Sequence, residues 1–153
     1  MNAIFLLKNK SDIAFLLEDH TVRQGLEKMK AHGYTALPVL THDGEYVGSI
    51  SEGDFLWHII STDNNDLRSK EDNMLIDLIR PHFNPAVRID VTMEDLLNRA
   101  KEQNFVPVVD DRNKFIGIIT RKDIIAYFQS RYAKEPISPK NSSFEKKKEM
   151  LNI

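Results

Sequence analysis

One pattern occurs twice in this chain, and it limits what the chain can fold into more than any other feature. Leu37-Pro38-Val39-Leu40 is followed by Asp43-Gly44, then by Val47-Gly48-Ser49-Ile50-Ser51 and Asp54. The same order returns as Val106-Pro107-Val108-Val109, Asn113, Ile116-Gly117-Ile118-Ile119-Thr120 and Asp123. A spacing of 69 residues holds without a gap from Pro38/Pro107 through Gly48/Gly117 to Asp54/Asp123. Such self-similarity marks two copies of one supersecondary unit.

Each copy reads as βαββα. Thr21 or Asp19 can cap a helix over Val22–His32, with Leu26 and Met29 on one face and Gly33 as its stop. Thr92 caps the counterpart, whose Leu96, Leu97 and Ala100 are expected to face inward; Asp95 makes an imperfect capping box. Apolar strands follow at Ala36–Leu40 and Phe105–Val109, then turn formers, then strands at Tyr46–Ile50 and Phe115–Ile119. Ser51 and Thr120 are N-caps of the closing helices. Short leading strands are expected at Ile13–Leu17 and Ala86–Ile89. One copy alone holds too little core to be stable. The expected fold is therefore α/β (α+β), two pseudo-twofold-related units packed sheet to sheet. The expected boundaries are 1–60 for the first unit with its N-terminal lead, 61–80 for a linker with a short helix, and 81–132 for the second unit. Residues 133–153, with Pro136, Pro139 and Lys146–Lys148, read as a disordered tail. Helix and strand lie closer in the second copy: Met29 to Pro38 is nine steps along the chain, but Ala100 to Pro107 is seven. That shortening is expected to narrow the second copy's cleft.

Composition removes several classes of function. With no cysteine there are no disulfides, thiolate metal sites or cysteine nucleophiles. A formal net charge of −2 gives no general attraction to nucleic acid or acidic lipid. The five histidines are scattered without ligand spacing, so no metal is expected. There is no Gly-rich phosphate loop or nucleophile elbow, so no enzyme is expected. The apolar run Met1–Leu7 is too short to span a membrane and lacks the order of a signal peptide. The default expectation is a cytoplasmic protein.

The positive signal is the pair Asp54 and Asp123. A carboxylate one turn into a helix, behind a Ser/Thr cap, can accept both hydroxyls of a ribose. Ser51 and Thr120 add a hydroxyl each, and the helix N-termini favour phosphate. Arg121 and Lys122 follow Thr120 and can pair with phosphate, the arginine as a bidentate fork. Glu52 stands where the second copy has Arg121, which makes the first helix start poorer for an anion. Both aspartates can equally be ordinary first-turn acids stabilised by the helix dipole.

In these residues the chain resembles a tandem CBS-domain pair, or Bateman module. The resemblance rests on the hydrophobic-Pro-Val strands, the Val/Ile-Gly turns and the Gly-x-x-Ser/Thr-x-x-Asp endings, and covers Ile13 to about Tyr132. Gly33-Tyr34-Thr35-Ala36-Leu37-Pro38-Val39 and Gly117-Ile118-Ile119-Thr120-Arg121-Lys122 also resemble small stand-alone Gram-positive CBS-pair proteins, some of which bind cyclic di-AMP. The resemblance implies an adenine edge read by backbone near Ala14 with Thr35, Ala36 and Pro38, and near Ala86 and Val87 with Phe105, Val106 and Pro107. It implies a regulatory module that binds AMP, ADP, ATP or cyclic di-AMP, needs no cofactor, and signals to an unidentified protein partner. A homodimer through the closing helices is expected, with Phe55, Ile59, Ile125 and Phe128 on the contact. The other reading is a structural dimerisation protein with empty or vestigial clefts.

Overall fold

Two apolar hairpins with the same register carry the fold. The structure, a computed structural model, describes residues 3–61 and 73–132. In the first repeat β3 (Ala36–Leu40) runs antiparallel to β4 (Tyr46–Ser51), with Pro38 opposite Ser49 and Val39 opposite Gly48. In the second, β6 (Phe105–Val109) runs antiparallel to β7 (Phe115–Thr120), with Pro107 opposite Ile118 and Val108 opposite Gly117. Both registers slip by a bulge before the last residue of the first strand. A two-residue parallel strand flanks each hairpin: β2 (Leu16–Leu17) on β3, and β5 (Val87–Arg88) on β6.

The helices start and stop where the side chains dictate. The Thr21 hydroxyl accepts from Gln24 N, and Gln24 reaches back to Thr21 N, a complete capping box for α1 (Val22–His32). Gly33 ends it in the left-handed conformation. Thr92 caps α3 (Met93–Ala100) through Asp95 N. There Met93, Leu96 and Ala100 are buried, while Leu97, expected inside, is exposed. It lies about 100° around the helix from Leu96. The closing helices are α2 (Glu52–Ser61) and α4 (Arg121–Tyr132).

Each repeat keeps its own core. Leu16, Val22, Leu37, Val39, Ile50 and Phe55 fill the first; Leu96, Val106, Val108, Ile119 and Ile124 fill the second. The segments leading into the repeats cross over. β1 (Lys8–Asn9) lies antiparallel to β7, Lys8 opposite Ile118, so the second sheet has four strands in the order β1-β7-β6-β5. Ala3 is buried in the second core, with Leu6 and Leu7 packed against it. In return Leu75, in a 3-10 turn at Leu75–Leu78, is buried in the first core beside Leu78 and Ile79.

This exchange explains the glycine in each pattern. A Cβ on Gly117 would sit 2.0 Å from the Lys8 carbonyl oxygen, and one on Gly48 would sit 2.6 Å from Ile79 Cγ2. At Gly117 the crossing backbone leaves no room for a side chain; at Gly48 the crossing segment's Ile79 side chain would have to shift. The hairpin turns meet at the centre. Phe115 N donates to the Gly44 carbonyl at 2.8 Å and Lys114 Nζ to the Asp43 carbonyl at 2.8 Å. Tyr46 and Phe115, equivalent in the two repeats, stack with centroids 6.1 Å apart. Expectations for the polar linker and for the C-terminal tail fall mostly or wholly outside the described residues.

Candidate functional site

A cavity of about 280 Å³ opens where the repeats meet. From the first repeat it is lined by Ile13, Ala14 and the run Tyr34-Thr35-Ala36-Leu37-Pro38. The second repeat contributes Asn104, Phe105, Ile118 and Thr120, and the crossing N-terminal segment contributes Lys8 and Asp12. Ala14, Thr35, Ala36, Pro38, Phe105 and Thr120 were expected at a site and are brought together here. Lys8, Asp12, Tyr34, Asn104 and Ile118 were not. Only the long-range pairing of β1 with β7 places the first two.

Asp123 does not line the cavity itself but contacts two residues that do, Thr120 and Lys8. Its backbone N donates to Thr120 Oγ1 at 3.2 Å, and its carboxylate is about one-third exposed, with Lys8 Nζ 3.8 Å away. Lys8 is itself half exposed. Such a pair contributes about 0–1 kcal/mol, because water screens both charges. A ligand that offers hydroxyls to the carboxylate and an anion to the ammonium can therefore part them cheaply.

Asp54 is in a different state. Its side chain is 6 % exposed. Oδ2 accepts from Ser51 N at 2.8 Å and from Ser51 Oγ at 2.9 Å, and Oδ1 accepts from Arg80 Nε at 2.6 Å. Arg80 stacks on the Phe83 ring at 3.9 Å. Both carboxylate oxygens are thus occupied, and Asp54 borders a groove with Trp57, His58 and Asp77, not the cavity between the repeats.

The remaining expected residues lie apart. Arg121 does not turn to the cavity: its Nε donates to the Ala100 carbonyl at 2.8 Å and the Gln103 carbonyl at 3.1 Å. A cation at those carbonyls caps α3, which is a better-formed use of the guanidinium than a solvent-exposed anion site. Lys122 is exposed on α4, and Val106 and Pro107 are buried in β6. Ala86 and Val87 line a separate groove with Asp90, Asp95, Asn98 and Arg99. The amide of Gln103, buried at 4 % exposure, occupies the second backbone edge, donating to the Pro85 carbonyl at 3.1 Å and the Phe105 carbonyl at 3.4 Å. Pro85 and Phe105 match Ala14 and Ala36 of the first repeat, whose surfaces line the open cavity. At Gln103 the first repeat has Tyr34, which instead stacks on His32 at the surface.

Among the described residues no cluster of His, Asp and Glu can hold a metal ion, and no helix is long and apolar enough to cross a membrane.

The CBS-domain family model matches residues 9–61 and 77–130, one match for each repeat. The chain belongs to the CBS-domain family. It is 30 % identical over 138 residues to an uncharacterized protein of Methanocaldococcus jannaschii, the match covering 71 % of this chain and 81 % of that one. Its fold is similar to a crystal structure of CbpB in complex with c-di-AMP, with TM-score 0.76, 24 % identity and 85 % of each chain covered. It is also similar to CBSX2 in complex with AMP, with TM-score 0.67 and 24 % identity over 85 % of this chain and 98 % of that one. At these identities the two likenesses establish the fold, and the two βαββα units are CBS units.

Proposed function

We propose that this CBS pair is a regulatory module that binds an adenine nucleotide in the cavity between Ala14, Thr35–Pro38 and Thr120. The observation that carries this reading is that three kinds of group line or directly adjoin one cavity. Small apolar residues and strand backbone can read a base edge, Asp123 and Thr120 can take a ribose, and Lys8 can take a phosphate. The volume of about 280 Å³ lies just below the range of ligand pockets, about 300 to 1,000 Å³. It suits one nucleoside; a cyclic dinucleotide would seat one half and lay the other across the rim beside Tyr34.

Signalling follows only if the ligand binds one conformation better than another. The crossing N-terminal segment is the element the ligand touches directly, through Lys8, and it is continuous with the second core through Leu7, Leu6 and Ala3. A signal to a protein partner would travel by this segment. The reading is of a sensor, not an enzyme.

The module is further read as a homodimer through its closing helices. Leu56, Trp57 and Ile60 of α2 and Ile125 of α4 are exposed apolar side chains, Trp57 at 69 %. Phe55, expected on that contact, is a core residue at 2 % exposure, while Ile59 and Phe128 are half-buried. Trp57→Glu should reduce the sedimentation coefficient to that of a single chain.

Isothermal titration with AMP, ADP, ATP and cyclic di-AMP tests the ligand reading. Heat of binding with at least one is expected; silence from all four up to millimolar concentration would rule it out.

A further inference from the structure

On the Asp54 side of the module the chain makes polar contacts that the Asp123 side lacks among the described residues. Tyr46 and Ser49 on β4 stand where β7 has Phe115 and Ile118. Their hydroxyls build a closed ring with Asn84, which is 5 % exposed and holds a positive φ of 57°. Asn84 Nδ2 donates to Ser49 Oγ at 3.1 Å, the Ser49 and Tyr46 hydroxyls bond at 2.7 Å, and the Tyr46 hydroxyl donates to the Asn84 carbonyl at 2.6 Å. With Ser49 donating to Tyr46, each donor is used once around the ring, so the bonds reinforce one another. Burial pushes the Tyr46 phenol up to about 12, which keeps its proton in place at neutral pH. Phe115 and Ile118 carry no hydroxyl, and on their side the crossing segment is not pinned in this way; Ile118 lines the open cavity.

Around this ring several groups that match those at the open cavity make contacts within the chain. Arg80 holds the carboxylate of Asp54, Phe83 backs Arg80, Ile79 covers Gly48, and Gln103 spans the backbone edge between Pro85 and Phe105. We propose that Ile79–Pro85 and Gln103 are a resident occupant of the Asp54 cleft, a protein-borne stand-in for a ligand, so that one chain takes one nucleotide and only on the Asp123 side. The stoichiometry rests on the nucleotide reading above; the resident occupant does not.

The test separates the two. The Arg80 Nε–H resonance, assigned by its loss in Arg80→Lys, is followed by NMR in the wild-type protein without nucleotide and with saturating AMP. Expected is solvent exchange at least about tenfold slower than for an exposed arginine such as Arg112, a shift that disappears in Asp54→Asn, and no change on adding AMP. Fast exchange without nucleotide, or a displacement of this resonance by AMP, overturns the proposal. Titration of the same protein should give one AMP per chain; a second AMP that Asp54→Ala removes also overturns it. If AMP does not bind, the count is taken with whichever of ADP, ATP or cyclic di-AMP does; if none binds, the nucleotide reading falls, and the exchange rate of Arg80 still decides whether the occupant is resident.

Discussion

Asp54 and Asp123 share one sequence pattern and one place on their helices, yet they have become different objects. Asp54 is buried, bonded at both oxygens and fixed by an arginine 2.6 Å away. Asp123 is partly exposed and faces a loose lysine at 3.8 Å. The partners come from equivalent crossing segments, so the divergence lies in which cation each segment carries and how firmly it is held. A repeat fixes where a functional group stands; its neighbours decide whether that group is part of the scaffold or available to a ligand.

The largest test of this contrast is affinity. Asp123→Ala should weaken adenine-nucleotide binding by about 10–100-fold, the loss of hydrogen bonds to a charged group of about 1.5–3 kcal/mol, with the melting temperature unchanged. Asp54→Ala should leave the affinity nearly as it is. Equal losses in the two variants, by calorimetry, would erase the distinction.

The glycines come next. Gly117→Ala pits a methyl group against the Lys8 backbone and should cost about 3 kcal/mol, while freeing Lys8 from the cavity. Gly48→Ala meets the Cγ2 methyl of Ile79, a side chain rather than backbone, and should cost less, about 1–2 kcal/mol. Chemical denaturation measures both, and the reverse order would mean the two crossings are held in another way.

Arg80→Ala removes the cation from a buried carboxylate. Arg80 is half exposed, which moderates the loss to about 2 kcal/mol, a fall in melting temperature of about 4–8 °C. Lys8→Ala should leave the melting temperature nearly constant and weaken nucleotide binding instead.

The smallest effect is in pH response, and it belongs to the first repeat. His42 Nε2 lies 2.7 Å from Asp19 Oδ2, and this hydrogen bond raises the histidine above its ordinary 6.5 and lowers the aspartate. His20 is lowered, chiefly by burial. His42 therefore favours the fold below pH 6.5, a contribution lost as pH rises through its raised value. His20 does the reverse: its contribution is present above pH 6.5 and lost as pH falls through its lowered value. The second repeat has Asp90, Val91 and Asp111 at the matching positions and makes no such pair. NMR titration should place His42 above 6.5 and His20 below it, and His42→Ala should steepen the loss of stability on acidification.

Much of the fold was legible because local rules and the repeat agree. Thr21, Gly33, Thr92, Ser51 and Thr120 punctuate the helices as their chemistry demands, and the hairpins follow the two apolar runs. The crossing segments were not legible. Strands of two residues, such as Lys8–Asn9, carry no period, and their partner lies more than a hundred residues away in sequence. For the same reason the site was only partly visible. The first repeat's small apolar edge and Thr120 line one cavity, but nothing local to Asp54 announces Arg80, and nothing local to Arg121 announces the open carbonyls at the end of α3. One signal was present in the aligned repeats: Tyr46 and Ser49 against Phe115 and Ile118, a polar pair set against an apolar one on otherwise matching strands.

The exchanged leads have a consequence for how such a chain can be divided or inherited. Ala3, Leu6 and Leu7 precede one unit but furnish the interior of the other, and Leu75, Leu78 and Ile79 do the converse. A fragment cut at the edges of either repeat would therefore lack part of its own floor. Splicing one unit from a cousin would import a lead shaped for a stranger's hairpin, so the two halves are bound to change in step.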